Sequence, residues 1–202
     1  MNILVLGGKQ ACGPGLPNGK GYLAQFLRRL NADRQSVQVD YRPVSLYEAT
    51  QLLPRLRLTA YDLIILQVDG PADWLPKTAA RRLLMRGVLS LYGQKLAHFR
   101  EVRSQLARIL LQVQLYRRQV VLMSPLPHEN SLEQQVGQLT RTVYAQQSRD
   151  WHVPFFDVTR HLPGGDELFQ AGASGQLSAV AHEVLGSELH TFITEPTYTL
   201  WP

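Results

Sequence analysis

Cysteine is almost absent from this 202-residue chain. Cys12 stands alone, so no disulfide can form within the chain, and a reducing compartment is expected. Long apolar runs are missing as well: the longest, such as Ile3 to Leu6 and Leu63 to Leu66, fall far short of the roughly 18 residues of a membrane-spanning helix. The first of these runs is also too short, and lacks the preceding basic residues, to be a secretory leader. A cytoplasmic protein with no membrane partner is therefore expected. Acids are scarce in the middle of the chain. Between Asp73 and Glu129 only Glu101 is acidic, against Lys77, Arg81, Arg82, Arg86, Lys95, Arg100, Arg103, Arg108, Arg117 and Arg118. Such a basic 77–118 region is either a solvated helical face or a surface for an anionic partner. Aromatic residues for stacking on bases are few there, namely Tyr92, Phe99 and Tyr116, which weighs against single-stranded nucleic acid. The six histidines show no ligand-type spacing; His182 and His190 are eight apart on one predicted helix, too far to share an ion. No metal and no cofactor are expected.

What the chain does have is an alternation of apolar runs and helical periodicities. Ile3 to Leu6 stops at Gly7-Gly8, a Gly/Pro-rich turn follows, and Leu23, Phe26, Leu27 and Leu30 then recur at helical spacing. This reads as buried strand, loop and helix. Further strands are predicted at Val37–Asp40, Leu63–Leu66, Gln119–Met123 and Val153–Val158. Ser45-Leu-Tyr-Glu48 and Ser131-Leu-Glu-Gln134 have the form of capping boxes at helix starts. Pro54 should end the first of those helices early. Pro76 suits a first helical position, and a long helical region is expected from there to Tyr116, interrupted around Gly87 and Gly93. Five strands separated by crossover-length segments imply one three-layer α/β/α domain with a five-stranded parallel sheet, over residues 1–195. An aromatic and proline-rich tail occupies 196–202.

In such sheets ligands bind at the carboxyl ends of the strands, which makes the loop from Gly7 to Gly15 the first candidate site. Nucleotide fingerprints fail there. A P-loop would need glycine where Pro14 stands and Ser or Thr after Lys20, where Gly21 stands. The dinucleotide pattern fails at Asn18, where its third glycine belongs.

Ile3-Leu-Val-Leu-Gly7 leads to Gly13-Pro-Gly-Leu-Pro17; Tyr61-Asp-Leu-Ile-Ile-Leu66, Val120-Val-Leu-Met-Ser-Pro-Leu-Pro127 and Gln176-Leu-Ser-Ala-Val-Ala-His182 follow. In that order and spacing the chain resembles the SGNH/GDSL hydrolases, esterases and lipases on a flavodoxin-like fold, over nearly its whole length. The resemblance implies a serine nucleophile in a G-D-S turn after the first strand. It also implies oxyanion donors from a glycine after the second strand and from an asparagine in a G-x-N-D turn after the third. A D-x-x-H before the last helix would supply the base and the group orienting it. This chain departs from the pattern at each position. Lys9 stands for the serine, and Pro71, within Asp69-Gly70-Pro71-Ala72, for the asparagine. Val44-Ser45-Leu46 replace the glycine, and Ala173 and Gln176 stand for the Asp and His. His182 matches a second, non-catalytic histidine of the family segment.

Three functions follow as expectations. The first is a pseudo-hydrolase whose old mouth binds a small anionic or zwitterionic ligand or a peptide. Lys9, Gln10, Asp69, Gly70, His128, Ser174 and Gln176 would line that mouth, with Asp73 and Glu129 on its rim, unless Lys9 pairs with Asp69 or Asp73 and closes it. The second is an acyl-ester hydrolase or transferase with substituted residues. Lys9 would need burial to act as an amine nucleophile or base, Cys12 is a further nucleophile candidate, and His128 or His182 would be the base. Against the Cys12 role stands its reading as a small buried apolar residue. The third is binding of an anionic partner by the basic 77–118 region.

Overall fold

The computed structural model describes residues 1–17, 20–33, 36–67, 75–76, 78–116, 119–162, 167–170 and 175–195. Five parallel strands form one sheet: β1 (Asn2–Gly7), β2 (Gln38–Pro43), β3 (Leu63–Gln67), β4 (Gln119–Met123) and β5 (Phe155–Phe156), in the order β2-β1-β3-β4-β5. This is the flavodoxin-like order, with the chain reversing direction across the sheet between β1 and β3. The three central strands are apolar on both faces because both faces are covered. Ile3, Val5, Leu63, Ile65, Val121 and Met123 pack with α1 (Tyr22–Asp33) and α7 (Ala179–Thr194). Leu4, Leu6, Ile64, Leu66, Val120 and Leu122 pack beneath α2 (Leu46–Leu52), α4 (Ala97–Leu115) and α5 (Ser131–Asp150). Between β3 and α4 lies α3 (Ala79–Tyr92), and a short α6 (Val158–His161) follows β5.

The expected capping box at Ser45 is present: Ser45 Oγ accepts from the Glu48 N–H at 3.2 Å, and Glu48 Oε2 accepts from the Ser45 N–H at 2.7 Å. Pro54 falls in a 3-10 turn just past α2, as its missing N–H requires. Other expectations need correction. The cap of α5 is Asn130, whose Oδ1 accepts from the Leu132 N–H at 3.0 Å, while Ser131 is already helical; Asn is as good a cap as Ser, and it comes first. Thr78, not a proline, precedes α3, so Pro76 lies before the helix. Gly87 does not break α3, since its position is open to solvent and a lone glycine there costs only about 1 kcal/mol. The break falls at Gly93, where φ is 43°. The second strand begins one residue later than predicted and runs to Pro43, and the fifth is only two residues long.

One close approach fixes the layer of α1 and α7. A Cβ on Gly186 would stand 2.5 Å from Gln25 Cβ and 2.7 Å from the Tyr22 carbonyl oxygen, so only glycine lets the helices touch. At the far edge of the sheet, Asp157 is buried while Arg141 Nε donates to its Oδ1 at 2.8 Å. Arg141 Nη2 and Arg160 Nε both engage Oδ2, and Thr159 Oγ1 donates to Oδ1 at 3.0 Å. Burial alone would raise this carboxyl's pKa, but the hydrogen bonds from Arg141 and Thr159, with the charges of both arginines, bring it below 3.8.

Candidate functional site

The loop that follows β1 is pinned from both sides. The Gly8 N–H donates to the Gln67 carbonyl at 3.0 Å, and Tyr41 Oη donates to the Gly8 carbonyl at 2.7 Å. A single 3-10 turn, Lys9–Cys12, then ends at Gly13, which takes the left-handed φ of 69°. The loop is folded against the start of α1: a Cβ on Gly13 would lie 2.8 Å from Gly21 Cα, and one on Gly21 would lie 2.3 Å from the Cys12 carbonyl carbon. Its glycines thus serve chain packing, which agrees with the failed phosphate fingerprints.

Lys9 is solvent-exposed, and among the described residues no carboxylate lies within ion-pair distance of it. Its charge is felt weakly by Glu48, a carboxyl held below its ordinary range chiefly by the backbone and side-chain hydrogen bonds of Ser45. The burial that amine catalysis would demand is missing. Cys12 is exposed, contrary to the expectation of a buried apolar side chain; the turn points it outward while Ala11 takes the buried position. Asp69, Gly70, Pro71, Asp73, Ala173 and Ser174 lie outside the described residues, so their part in the mouth is not described.

Gln10 reaches the backbone next to Gln176. Gln10 Nε2 donates to the Gly175 carbonyl at 3.4 Å, and the Gly175 N–H donates to Glu129 Oε2 at 3.0 Å. An antiparallel bridge, Phe169 to Leu177, with the Gln170 N–H on the Gln176 carbonyl at 2.8 Å, sets Gln170 beside Gln176. Both reach over Gly15: a Cβ there would lie 2.5 Å from Gln176 Oε1 and 3.3 Å from Gln170 Oε1. Among the described residues, none donates a hydrogen bond to the buried side-chain oxygens of Gln10, Gln170 and Gln176, an arrangement that costs about 1–3 kcal/mol per group unless a ligand or water supplies a donor. His128 Nδ1 lies 3.8 Å from Glu133 Oε2.

Beneath the loop runs a buried polar chain that sequence reasoning missed. Gln67, fully buried at the end of β3, accepts from Tyr22 Oη at 3.0 Å. Gly7 leaves room for it, since a Cβ there would lie 3.2 Å from Gln67 Oε1. The Tyr22 N–H, in the first turn of α1, donates to His182 Nδ1 at 3.1 Å, and the two rings stack at 6.1 Å. Burial pushes the His182 pKa down to about 4. The imidazole is therefore neutral, its Nδ1 lone pair is engaged, and it is unsuited to be a general base. The detectable signal was a polar residue, Gln67, closing an otherwise apolar strand. Gln170 had no such signal.

No protein-family model matches this chain, and no curated protein matches it in sequence. Solved structures match in shape. TesA is 16% identical, with 96% of this chain and 98% of that one covered at a TM-score of 0.65. A protein assigned to the G-D-S-L lipolytic family, from Desulfitobacterium hafniense, is 10% identical over 95% and 98% of the two chains, also at 0.65. Axe2, an acetylxylan esterase from Geobacillus stearothermophilus, is 15% identical over 96% and 94%, at 0.64. At such identities the likeness is one of fold, and the fold of this chain, from β1 through α7, is that of the SGNH/GDSL hydrolases.

Proposed function

We propose that this protein is a catalytically silent relative in form of the SGNH esterases, and that it uses the old mouth to bind a ligand rich in hydrogen-bond donors, such as a polyol, a saccharide or an amine. The observation that carries the reading is that the buried carboxamide oxygens of Gln10, Gln170 and Gln176 find no donor among the described residues. Acceptors without donors favour hydroxyl or ammonium groups over the anionic ligand expected from Lys9 alone, because a buried oxygen repels a second acceptor. Silence is supported by an exposed Lys9 at the nucleophile position and a carboxamide at the base position. A carboxamide cannot take up a proton near neutral pH. The alternative, ester chemistry with substituted residues, is weakened by the same placements: His182 is neutral and engaged, and His128 faces Glu133.

The test pairs turnover with binding. Short acyl esters are offered to the wild type, Lys9→Ala and Cys12→Ala, and the unfolding temperature is followed with panels of saccharides, polyols, diamines and phosphates. The expected outcome is no turnover, with a temperature rise from donor-rich ligands only, abolished in Gln176→Leu; occupancy at 100 times Kd adds about 2.7 kcal/mol. Ester turnover lost in Lys9→Ala or Cys12→Ala would overturn silence. Stabilisation by phosphates alone would overturn the ligand class.

A further inference from the structure

Helix α3 is amphipathic in the wrong direction for a helix in water. Its inward side supplies Leu89, buried, and Arg82, whose Nη2 donates to Glu133 Oε1 at 3.0 Å on α5. Its outward side carries Leu83, Leu84 and Leu91, which are 69%, 72% and 81% exposed. At about 100° per residue, Leu84 and Leu91 share one line and Leu83 lies beside it. Exposed Arg86 falls at one edge of this stripe, and exposed Arg81, with Tyr92 next to it, falls at the other.

We propose that this outward face of α3 rests on an anionic lipid surface, with the leucines entering the headgroup boundary and Arg81 and Arg86 meeting lipid phosphates. Charge decides the occupant. No acid occurs from residue 79 to 95, and the nearby Glu133 is already paired with Arg82. A second copy of the chain laid on this face would bring arginines against arginines, with no carboxylate among the described residues of α3 to neutralise them. The apolar area, on the order of 500 Å², is the size of a large monomer patch and below the roughly 800 Å² a side that a stable dimer needs. Leucines bordered by cations and an interfacial tyrosine are the composition that lies in a headgroup layer. Among the described residues no helix is long and apolar enough to cross a membrane, so the contact is peripheral. It also replaces the expectation of a chain with no membrane partner, which rested on run length, by one resting on exposure. The proposal does not depend on the mouth binding anything.

Sedimentation with vesicles tests it, using phosphatidylcholine alone and phosphatidylcholine with phosphatidylglycerol at low and high salt. The proteins are the wild type, Leu84→Glu/Leu91→Glu, the milder Leu84→Ser/Leu91→Ser, and Arg81→Glu/Arg86→Glu, each confirmed folded by its thermal melt. The wild type should bind only the anionic vesicles and release at high salt. Both leucine pairs should lose binding, and the arginine reversal should lower partitioning about 30-fold or more, at roughly five-fold per cation. Failure of the wild type to bind at low salt overturns the proposal. So does undiminished binding by either leucine pair, which would mean adsorption by charge alone. A wild-type dimer that Leu84→Glu makes monomeric would assign the face to a second copy instead.

Discussion

His182 should make the protein lose stability as mild acid is approached. Its folded pKa is held at about 4 by burial, against 6.5 for an exposed imidazole. Below pH 6.5 the unfolded chain takes up a proton at His182 and the folded chain does not, so stability rises with pH between about 4 and 6.5 and falls as the pH is lowered through that window. Linkage with these two values gives a loss of about 2 kcal/mol on going from about pH 7 to about pH 5. In the folded state the neutral ring does structural work by accepting the first-turn N–H of α1 at Tyr22. In His182→Asn a carboxamide oxygen can reproduce that acceptor without titrating. The assay is urea unfolding of both proteins at the two pH values. The acid-induced loss should be smaller in the variant by about 2 kcal/mol, even though the variant is less stable overall at neutral pH. The double difference cancels every other titrating group. Equal losses in the two proteins would refute the argument, because they would show that His182 titrates alike in the folded and unfolded states.

Three further outcomes follow from particular contacts. Asp157→Asn should cost about 2 kcal/mol in chemical denaturation at neutral pH, less than a fully buried pair because Arg141 and Arg160 reach solvent. That difference should persist through mild acid and vanish only as the pH falls below the ordinary carboxylate range, since the folded carboxyl is the more acidic. Gly186→Ala should lower stability by about 2–3 kcal/mol, because the new methyl meets the Tyr22 carbonyl and Gln25 at distances that force α1 away from α7; an unchanged melting temperature would contradict the close packing. Tyr22→Phe should cost about 1–2 kcal/mol, through loss of the hydroxyl that donates to Gln67 within the core.

Burial pattern made the central strands legible. The run Leu63–Leu66 is apolar on both faces because both faces are covered, and β3 lies where that run predicts. Val153–Val158 gave the same sort of signal but yields only Phe155–Phe156, since β5 is an edge strand that meets β4 at Leu122 and Met123 alone. Beyond it, Asp157, held by Arg141 and Arg160, stands at the start of α6. The outward leucines of α3 were hidden for a related reason: periodicity finds an apolar stripe but cannot say which side of the helix faces the core. In the candidate site, Gln10 and Gln176 could be located from the order of motifs. Gln170 joins them only through a bridge between backbone segments, Phe169 to Leu177, which no local pattern of side chains announces.

The contact between α1 and α7 also has a bearing on how the chain reaches its native state. Tyr22 and His182 are 160 positions apart, yet together they complete one covering layer of the sheet. During synthesis at about 5–20 residues per second, β1 and α1 leave the ribosome many seconds before their partner exists, with Phe26, Leu30 and the lower face of the sheet uncovered. Closure of this domain is thus a late, long-range event, and the arrival of α7 is the step that withdraws this apolar face of the sheet from the crowded cell.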